Sequence, residues 1–531
     1  MPLSRDERGA PMLQYVSPLP PASTGIAQYS RDLLDAVDGV WNVDVYAEDG
    51  YSDPGWSTVR VRGRYRRRSI DPTVPTILHL GNSGFHELAY ALARRRGAII
   101  VLHDVVLHFG RLGEFLKHGR SSEYKREMFT RYGEEGARFA AQLLAGRRPE
   151  SFVDFPLCEE FVERSAATVV HSDYARHLVE RWVPGARVLR VPMGVPLPAL
   201  VPRTDARAAL NIPTEAFVVA SITHVNPFKR LPVVLEAMRF VVRERPEAVL
   251  IIAGTVAPGI DLEAQISSLG LQRHVHSIGY VTDDHARLLA RAADVAVNLR
   301  YPTAGETSAS LLRLLGAGLP VLITDDGAAD EFDSAGTIRI PVDIGEIESI
   351  ASTLIRLAEN RDERDELGER SRGFVVREHS MAAAVDGYRA VVEAVSGQLL
   401  PAVEEMTLDE RIPAPPVAVG EQVYAEAIKP WDATVADALI ALRLDGHDET
   451  IRTVARHMAD LRLDAAFSSD GNGESRMADD LPIRRELLEI LACPACQSEL
   501  ELDGQRLVCT SCGRQYQIDN GIPILLVEDD K

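Results

Sequence analysis

Two doubly wound α/β domains facing a cleft, with a small metal-bound appendage, are predicted by three observations. Apolar β-type runs alternate with helical periodicity twice over, a proline-rich join separates the two series, and two C-x-x-C pairs lie near the C-terminus. A chain of 531 residues is also too long for one hydrophobic core. The first series runs PMLQYV (11–16), a helix IAQYSRDLLDAV (26–37), VDVYA (43–47), TILHL (76–80), a helix HELAYALARRR (86–96), AIIVLH (98–103), ATVVH (167–171), a helix YARHLVERW (174–182) and VLRVP (188–192). The second runs FVVASITHV (217–225), a helix LPVVLEAMRFVVRER (231–245), AVLIIAG (248–254), a helix over 261–269, VHSIGYV (275–281), a helix DDHARLLARA (283–292), DVAVNL (294–299), a helix ETSASLLRLLGAG (306–318) and PVLIT (320–324). Strands without polar alternation imply parallel sheets covered on both faces. Ligands of such sheets bind beyond the carboxyl ends of the strands.

The prolines from Pro192 to Pro202 break both periodicities and set the join. The expected organisation is a first Rossmann-like domain over 10–198 and a second over 205–398. A last helix, 383–396, returns to the first domain. Beyond it come an acidic Pro-rich linker (399–420), an amphipathic helical segment (421–465), a flexible spacer (466–482) and a zinc ribbon (486–526).

Composition narrows the function. A chain with 46% hydrophobic, 6% aromatic and 26% charged residues is globular. No apolar run approaches the ~20 residues that span a bilayer, and MPLSRDERGAPMLQY lacks a signal peptide's apolar core, so a cytoplasmic location is expected. The net charge of −20 argues against nucleic acid as a partner. Residues 401–531 hold 12 Lys+Arg against 26 Asp+Glu, so the acid belongs mainly to the tail. RGRYRRR (Arg62 to Arg68) and RRR (Arg94 to Arg96) are local basic clusters that read as solvated loops or as peripheral contacts with an anionic acceptor or the inner face of a membrane.

Two loops carry chemistry. In YPTAGETSAS (301–310), Gly305 lets the backbone approach a ligand and Glu306 can accept hydrogen bonds from sugar hydroxyls; the competing reading is a carboxylate that only complements its helix dipole. THVNPFKRLPVV places Lys229 and Arg230 at a helix start, where a cation and free N–H groups can hold a pyrophosphate. In the tail, Cys493, Cys496, Cys509 and Cys512 form two C-x-x-C pairs separated by twelve residues, a tetrahedral set suited to structural zinc; two disulfides are the alternative. Gly513 follows the second pair where a tight turn is needed, and Cys158 reads as packing.

The ordered set PLPPASTGIAQYS, VLHDVVLHFG, VVHSDYA, VPMGVP, HVNPFKR and LRYPTAGETSASLLRLLGAGLPVLITD resembles the retaining nucleotide-sugar glycosyltransferases of family four, which have the two-Rossmann GT-B fold. The resemblance covers about residues 10–398. It implies a donor held mostly by the second domain, an acceptor on the first, and no catalytic metal. Carried over, it gives Lys229 the donor phosphates, and gives Glu306, with the Gly305 and Thr307 backbone, the donor-sugar hydroxyls. Gly25 and Ile26 fall on a glycine loop facing the donor. His103 falls beneath the reacting sugar, with a satisfied core histidine as its other reading; Asp104 and His108 are weaker candidates. Two positions depart from the pattern. A second glutamate, eight residues after the first, is Leu314, and an arginine six residues before the lysine is Thr223, with Arg230 or His224 the only nearby basic substitutes.

The segment LLEILACPACQSELELDGQRLVCTSCGRQYQIDNGIPILL (487–526) resembles the small zinc-ribbon proteins that bind and activate methyltransferases. It implies either a docking surface for a protein partner or a stabilising module. The expected function is transfer of a sugar from a nucleotide donor to a glycan, lipid-linked or small-molecule acceptor in cell-surface polysaccharide or glycoconjugate synthesis. The alternative is a non-catalytic scaffold of the same fold whose ribbon recruits a partner such as a methyltransferase.

Overall fold

The computed structural model describes residues 12–22, 24–47, 54–62, 70–147, 152–197, 200–397, 400–401, 500–503, 506–519 and 522–524. The expected linker, helical segment and spacer, most of Arg62 to Arg68, and Cys493 and Cys496 lie outside the described residues. The chain divides into two compact units, 1–455 and 456–531.

In the first unit, seven parallel strands form one sheet: β1 (Leu13–Val16), β2 (Val43–Tyr46), β3 (Val59–Val61), β4 (Thr76–Leu80), β5 (Ile99–Leu102), β6 (Ala167–Val170) and β7 (Val188–Arg190), in the order β3-β2-β1-β4-β5-β6-β7. Six more form a second parallel sheet: β8 (Phe217–Ile222), β9 (Ala248–Ala253), β10 (Val275–Ser277), β11 (Val295–Asn298), β12 (Val321–Thr324) and β13 (Thr337–Ile340), in the order β10-β9-β8-β11-β12-β13. Both are doubly wound, and the strand order reverses at β1/β4 and at β8/β11, the places where such folds bind ligands. The fold class thus agrees with the continuous apolar runs: all four residues of β1, β5 and β11 are buried.

The helices flank these sheets. The first domain has α1 (Gly25–Val37), α2 (Glu87–Ala93), α3 (His108–Lys117), α4 (Ser121–Leu144), α5 (Glu159–Arg164) and α6 (Asp173–Trp182). The second has α7 (Arg203–Ala209), α8 (Leu231–Glu244), α9 (Leu262–Ser268), α10 (Asp283–Ala292), α11 (Ala309–Gly316), α12 (Glu346–Glu359), α13 (Arg361–Glu378) and α14 (Met381–Ser396). The last of these packs on the first domain, where the Tyr29 hydroxyl meets that of Tyr388 at 3.1 Å. Gly194 lies where a side chain would press on Ala384 at 2.8 Å.

Several boundaries differ from the periodicity. The helix expected from Glu306 begins at Ala309, because the Ser308 hydroxyl accepts from Leu311 N at 3.2 Å and caps it. The run 217–225 is strand only to Ile222, 275–281 only to Ser277, and the helix 86–96 stops at Ala93. The α3–α4 pair is not among the periodic runs; α3 has two internal glycines, and α4 bends at Gly133, whose φ is +64°.

The second unit contains an antiparallel meander, β14 (Leu500–Asp503), β15 (Arg506–Cys509), β16 (Gln515–Asp519) and β17 (Ile522–Ile524). Leu507, Cys509 and Tyr516 are buried there. Among the described residues, no helix is long and apolar enough to cross a membrane.

Leu314 is 1% exposed on α11, within the core. Leu314→Glu should therefore lower stability by roughly 3–5 kcal/mol, read as the shift of a urea midpoint, because it removes apolar burial and buries an unpaired carboxyl. A neutral effect would place this position on the open cleft.

Candidate active site

The loop from Arg300 to Ser308 is built around one carboxylate. Glu306 Oε2 accepts from Ala304 N at 2.8 Å and from the Thr303 hydroxyl at 3.0 Å, and Oε1 accepts from Arg300 Nη1 at 2.8 Å. Arg300 also donates to Ser308 Oγ at 2.6 Å, and its own N–H reaches Thr324 Oγ1 at 2.9 Å. Glu306 thus sits two residues ahead of the helix cap and ties its own loop together, so its first-turn dipole role does not apply. Thr307 is half-buried between Glu306 and the cap.

Gly305 has φ +76°, and a side chain there would stand 2.3 Å from Val105 Cγ2. The Ala304 carbonyl accepts from Val105 N at 3.0 Å and Val106 N at 3.2 Å. The close approach that Gly305 allows is therefore to the first domain's β5–α3 loop. Tyr301 N donates to Phe228 O at 2.9 Å, tying this loop to the Pro227–Lys229 turn, which Asn226 Oδ1 caps by accepting from Phe228 N at 3.1 Å.

Four charged groups meet at this junction: Lys229, Arg300 and Glu306 from the second domain, and Asp104 from the first. Burial, aided by the Arg300 charge, pushes the Lys229 ammonium down to about 7, against the pull of Glu306 and Asp104. Burial and then the Glu306 charge push Asp104 up to about 6. Burial alone would raise Glu306, but Arg300 and Lys229 outweigh it and hold the carboxyl below its usual range. The site therefore holds a fixed carboxylate, a cation close to losing its proton, and a carboxyl close to gaining one.

The other expected residues are placed as follows. Gly25 is the first residue of α1 and faces open space, with no atom within 4 Å of where its side chain would be. Thr24 Oγ1 already accepts from Ile26 N and Ala27 N. Arg230 is turned to Glu346, its Nε 2.6 Å from Oε1, and stacks over Tyr301. The Arg230 guanidinium is thereby committed within the second domain. His224 meets Thr255 Oγ1 at 2.7 Å, and Thr223 lies beside Gly254, where a side chain would strike its carbonyl.

His103 is 4% exposed in a row of imidazoles, its Nε2 2.8 Å from His79 Nδ1 and its Nδ1 3.3 Å from His171 Nε2. His171 Nδ1 faces the Val191 carbonyl at 2.9 Å. That carbonyl can only accept, so the whole row is ordered with each Nδ1–H donating. Both ring nitrogens of His103 are thus engaged within the first domain, and burial holds it neutral. His108 is likewise satisfied, by Phe155 O at 2.7 Å and Tyr124 OH at 2.8 Å.

Arg300 and His86 were not singled out from the sequence. Arg300 stands within LRYPTAGE at a strand's carboxyl end, a signal that was available; His86 is one histidine among 14 and had none. In the second unit, Cys512 N lies 3.4 Å from Cys509 Sγ, Gly513 N donates to Cys509 O at 3.0 Å, and Gly513 has φ +69°. Among the described residues no group of three or more His, Cys, Asp or Glu side chains is arranged to hold a metal ion.

Residues 202–374 match the family described as Glycosyl transferases group 1, and residues 484–521 match Trm112p-like protein. D-inositol 3-phosphate glycosyltransferase of Corynebacterium urealyticum is 26% identical over 287 residues, 50% of this chain and 64% of that protein. The chain thus spans less than two thirds of that relative. A UPF0434 protein of Mannheimia succiniciproducens is 51% identical over 45 residues, 8% of this chain and 74% of that one. Sucrose-phosphate synthase of Thermosynechococcus elongatus covers 73% of this chain with all of its own, at a TM-score of 0.53 and 17% identity. Anabaena HepE in complex with UDP and glucose covers the same share at 0.50 and 14%. These two likenesses establish the fold. The chain thus carries, on a GT-B-like pair of Rossmann domains, a stretch that matches the glycosyl transferases group 1 model, and a C-terminal segment that belongs to the Trm112p-like UPF0434 family.

Proposed function

We propose that the protein moves a sugar from a nucleoside-diphosphate sugar to an acceptor hydroxyl, with retention of anomeric configuration. The observation that carries this reading is the meeting of Lys229, Arg300 and Glu306 at the carboxyl ends of the strands, against the first domain. Lys229 takes the diphosphate, whose charge raises the ammonium's proton affinity and makes it a full cation. Glu306 is already tied by three donors, two on Oε2 and one on Oε1, so Oε1 retains a lone pair for a sugar hydroxyl. Its hydrogen bonds fix its direction before the donor arrives.

In the retaining reaction, the bond from the anomeric carbon to the acceptor oxygen forms on the face from which the bond to the diphosphate breaks. The electron pair leaves with the diphosphate, and the acceptor's proton passes to a diphosphate oxygen. The Lys229 ammonium offsets the developing charge. The Thr307 and Gly305 backbone and the Gly25–Ile26 loop complete the donor's walls. His103 acts as a positioning residue, edge-on to Tyr29 at 5.2 Å. Arg230 supports Tyr301 and the loop that bears Glu306.

The C-terminal segment is proposed to hold one structural zinc through Cys493, Cys496, Cys509 and Cys512. The turn at Cys509 to Gly513 fits this role, because a backbone N–H aimed at Sγ stabilises a thiolate ligand. The resemblance to methyltransferase activators supports a protein partner for this module, such as a methyltransferase.

The donor half is tested by thermal melting with UDP, GDP, ADP, CMP and TDP. One nucleotide at a hundredfold excess over its Kd should add about 2.7 kcal/mol, and Lys229→Ala should abolish that gain; no shift with any nucleotide would leave the scaffold reading. Glu306→Gln should keep the nucleotide shift and lose tenfold or more in sugar transfer, because a neutral amide accepts sugar hydroxyls less well. Binding should also weaken about tenfold from pH 7 to pH 8.5, since Lys229 must be protonated to hold the diphosphate and loses its proton around pH 7. Native mass spectrometry should find one zinc per chain and none in Cys509→Ser.

A further inference from the structure

Three side chains from three elements converge on Gly81, just past β4. A side-chain carbon at that position would stand 2.3 Å from Ile26 Cδ1, 2.8 Å from His86 Nε2 and 3.3 Å from Asp104 Oδ2. The frame beneath them is fixed. Tyr90 OH donates to Gly81 O at 2.5 Å, Asn82 N donates to Asp104 Oδ2 at 2.8 Å, and Gly110 N donates to Asn82 Oδ1 at 2.8 Å.

His86 is 1% exposed, and its Nδ1 lies 3.1 Å from the His79 carbonyl. That carbonyl can only accept, so the proton is on Nδ1 and Nε2 presents a bare lone pair. Nε2 has no hydrogen-bond partner, and burial, which pushes the imidazole down to about 4, keeps it unprotonated. A buried acceptor without a donor is uncommon and costly. The terminal methyl of Ile26 approaches the same position beside Gly81. Asp104 Oδ1 has no hydrogen-bond partner among the described residues either.

We propose that Asp104 and His86 form the acceptor subsite of the transferase and that the acceptor's reacting end is a neutral polyol. The proposal rests on the transferase reading above. Both groups only accept hydrogen bonds, so they select a ligand that presents donors, which adjacent hydroxyls do. Asp104 precedes Val105, whose N–H donates to the Ala304 carbonyl in the loop that bears Glu306, so a hydroxyl held by Asp104 lies on the side of the sugar held by Glu306. The same two carboxylates repel a phosphate or carboxylate on the acceptor near the reacting hydroxyl.

The test uses the full chain with the nucleotide that shifts its melt. Binding of myo-inositol, glycerol and methyl glucoside is followed by saturation-transfer NMR, with inositol 3-phosphate as the anionic probe. At least one neutral probe should bind, tenfold or more tighter than the anionic one. Asp104→Asn and His86→Phe should each weaken it tenfold or more, and in His86→Phe the nucleotide-induced shift should persist. His86→Gln, which restores an acceptor oxygen, should recover part of the loss and covers the case in which phenylalanine disturbs folding. Equal polyol binding in all variants, a preference for the phosphorylated probe, or no binding of any neutral probe would overturn the proposal. Failure of the transferase reading would look different, as a wild-type protein that no nucleotide stabilises.

Discussion

The hydrogen bonds from Val105 and Val106 to the Ala304 carbonyl bring the second domain's 300–308 loop against the first domain's β5–α3 loop. Only a residue without a side chain fits at 305, since a Cβ there would meet Val105 at 2.3 Å and would have to adopt φ +76°. Because this approach is so close, Glu306 and Asp104 lie near enough to influence each other's protons. The Tyr301–Phe228 hydrogen bond then carries Lys229 into the same cluster. The charged centre is thus a consequence of backbone packing between loops.

Electrostatics sets the chemistry. One carboxylate is locked by Arg300, Thr303 and a backbone N–H, and keeps its charge. The lysine beside it has had its proton affinity lowered by burial. Such a lysine is a poor standing cation but responds strongly to an incoming dianion, whose charge restores its proton. On the opposite wall, the groups around Gly81 accept and do not donate. On the proposed function, the donor wall attracts phosphate and the acceptor wall attracts hydroxyls, which separates the two substrates by charge.

Much of the fold was legible because parallel strands buried on both faces read as continuous apolar runs, as in AVLIIA and DVAVNL. The α3–α4 pair was not, since glycines at 110, 113 and 133 interrupt its period. Glu306, Lys229 and Gly305 were legible because loops at strand ends combine glycine with charge. Their partners were less so. Arg300 lies six residues from Glu306 yet is recognisable only through the hydrogen bond it makes, and His86 only through the nitrogen it leaves unmatched. Leu314 and Thr223, read as departures from the family pattern, occupy a buried helix face and a tight contact with Gly254. Packing governs both positions, which a linear comparison does not reveal.

The central claim is that an under-protonated Lys229 receives the donor diphosphate. Calorimetric titration of the stabilising nucleotide at pH 7, repeated in buffers of different ionisation enthalpy, measures the protons taken up on binding. Uptake of about half a proton per chain, lost in Lys229→Ala, is the result this account predicts. Binding with no proton uptake, or uptake unchanged in that variant, would show that the diphosphate is held elsewhere and would contradict it.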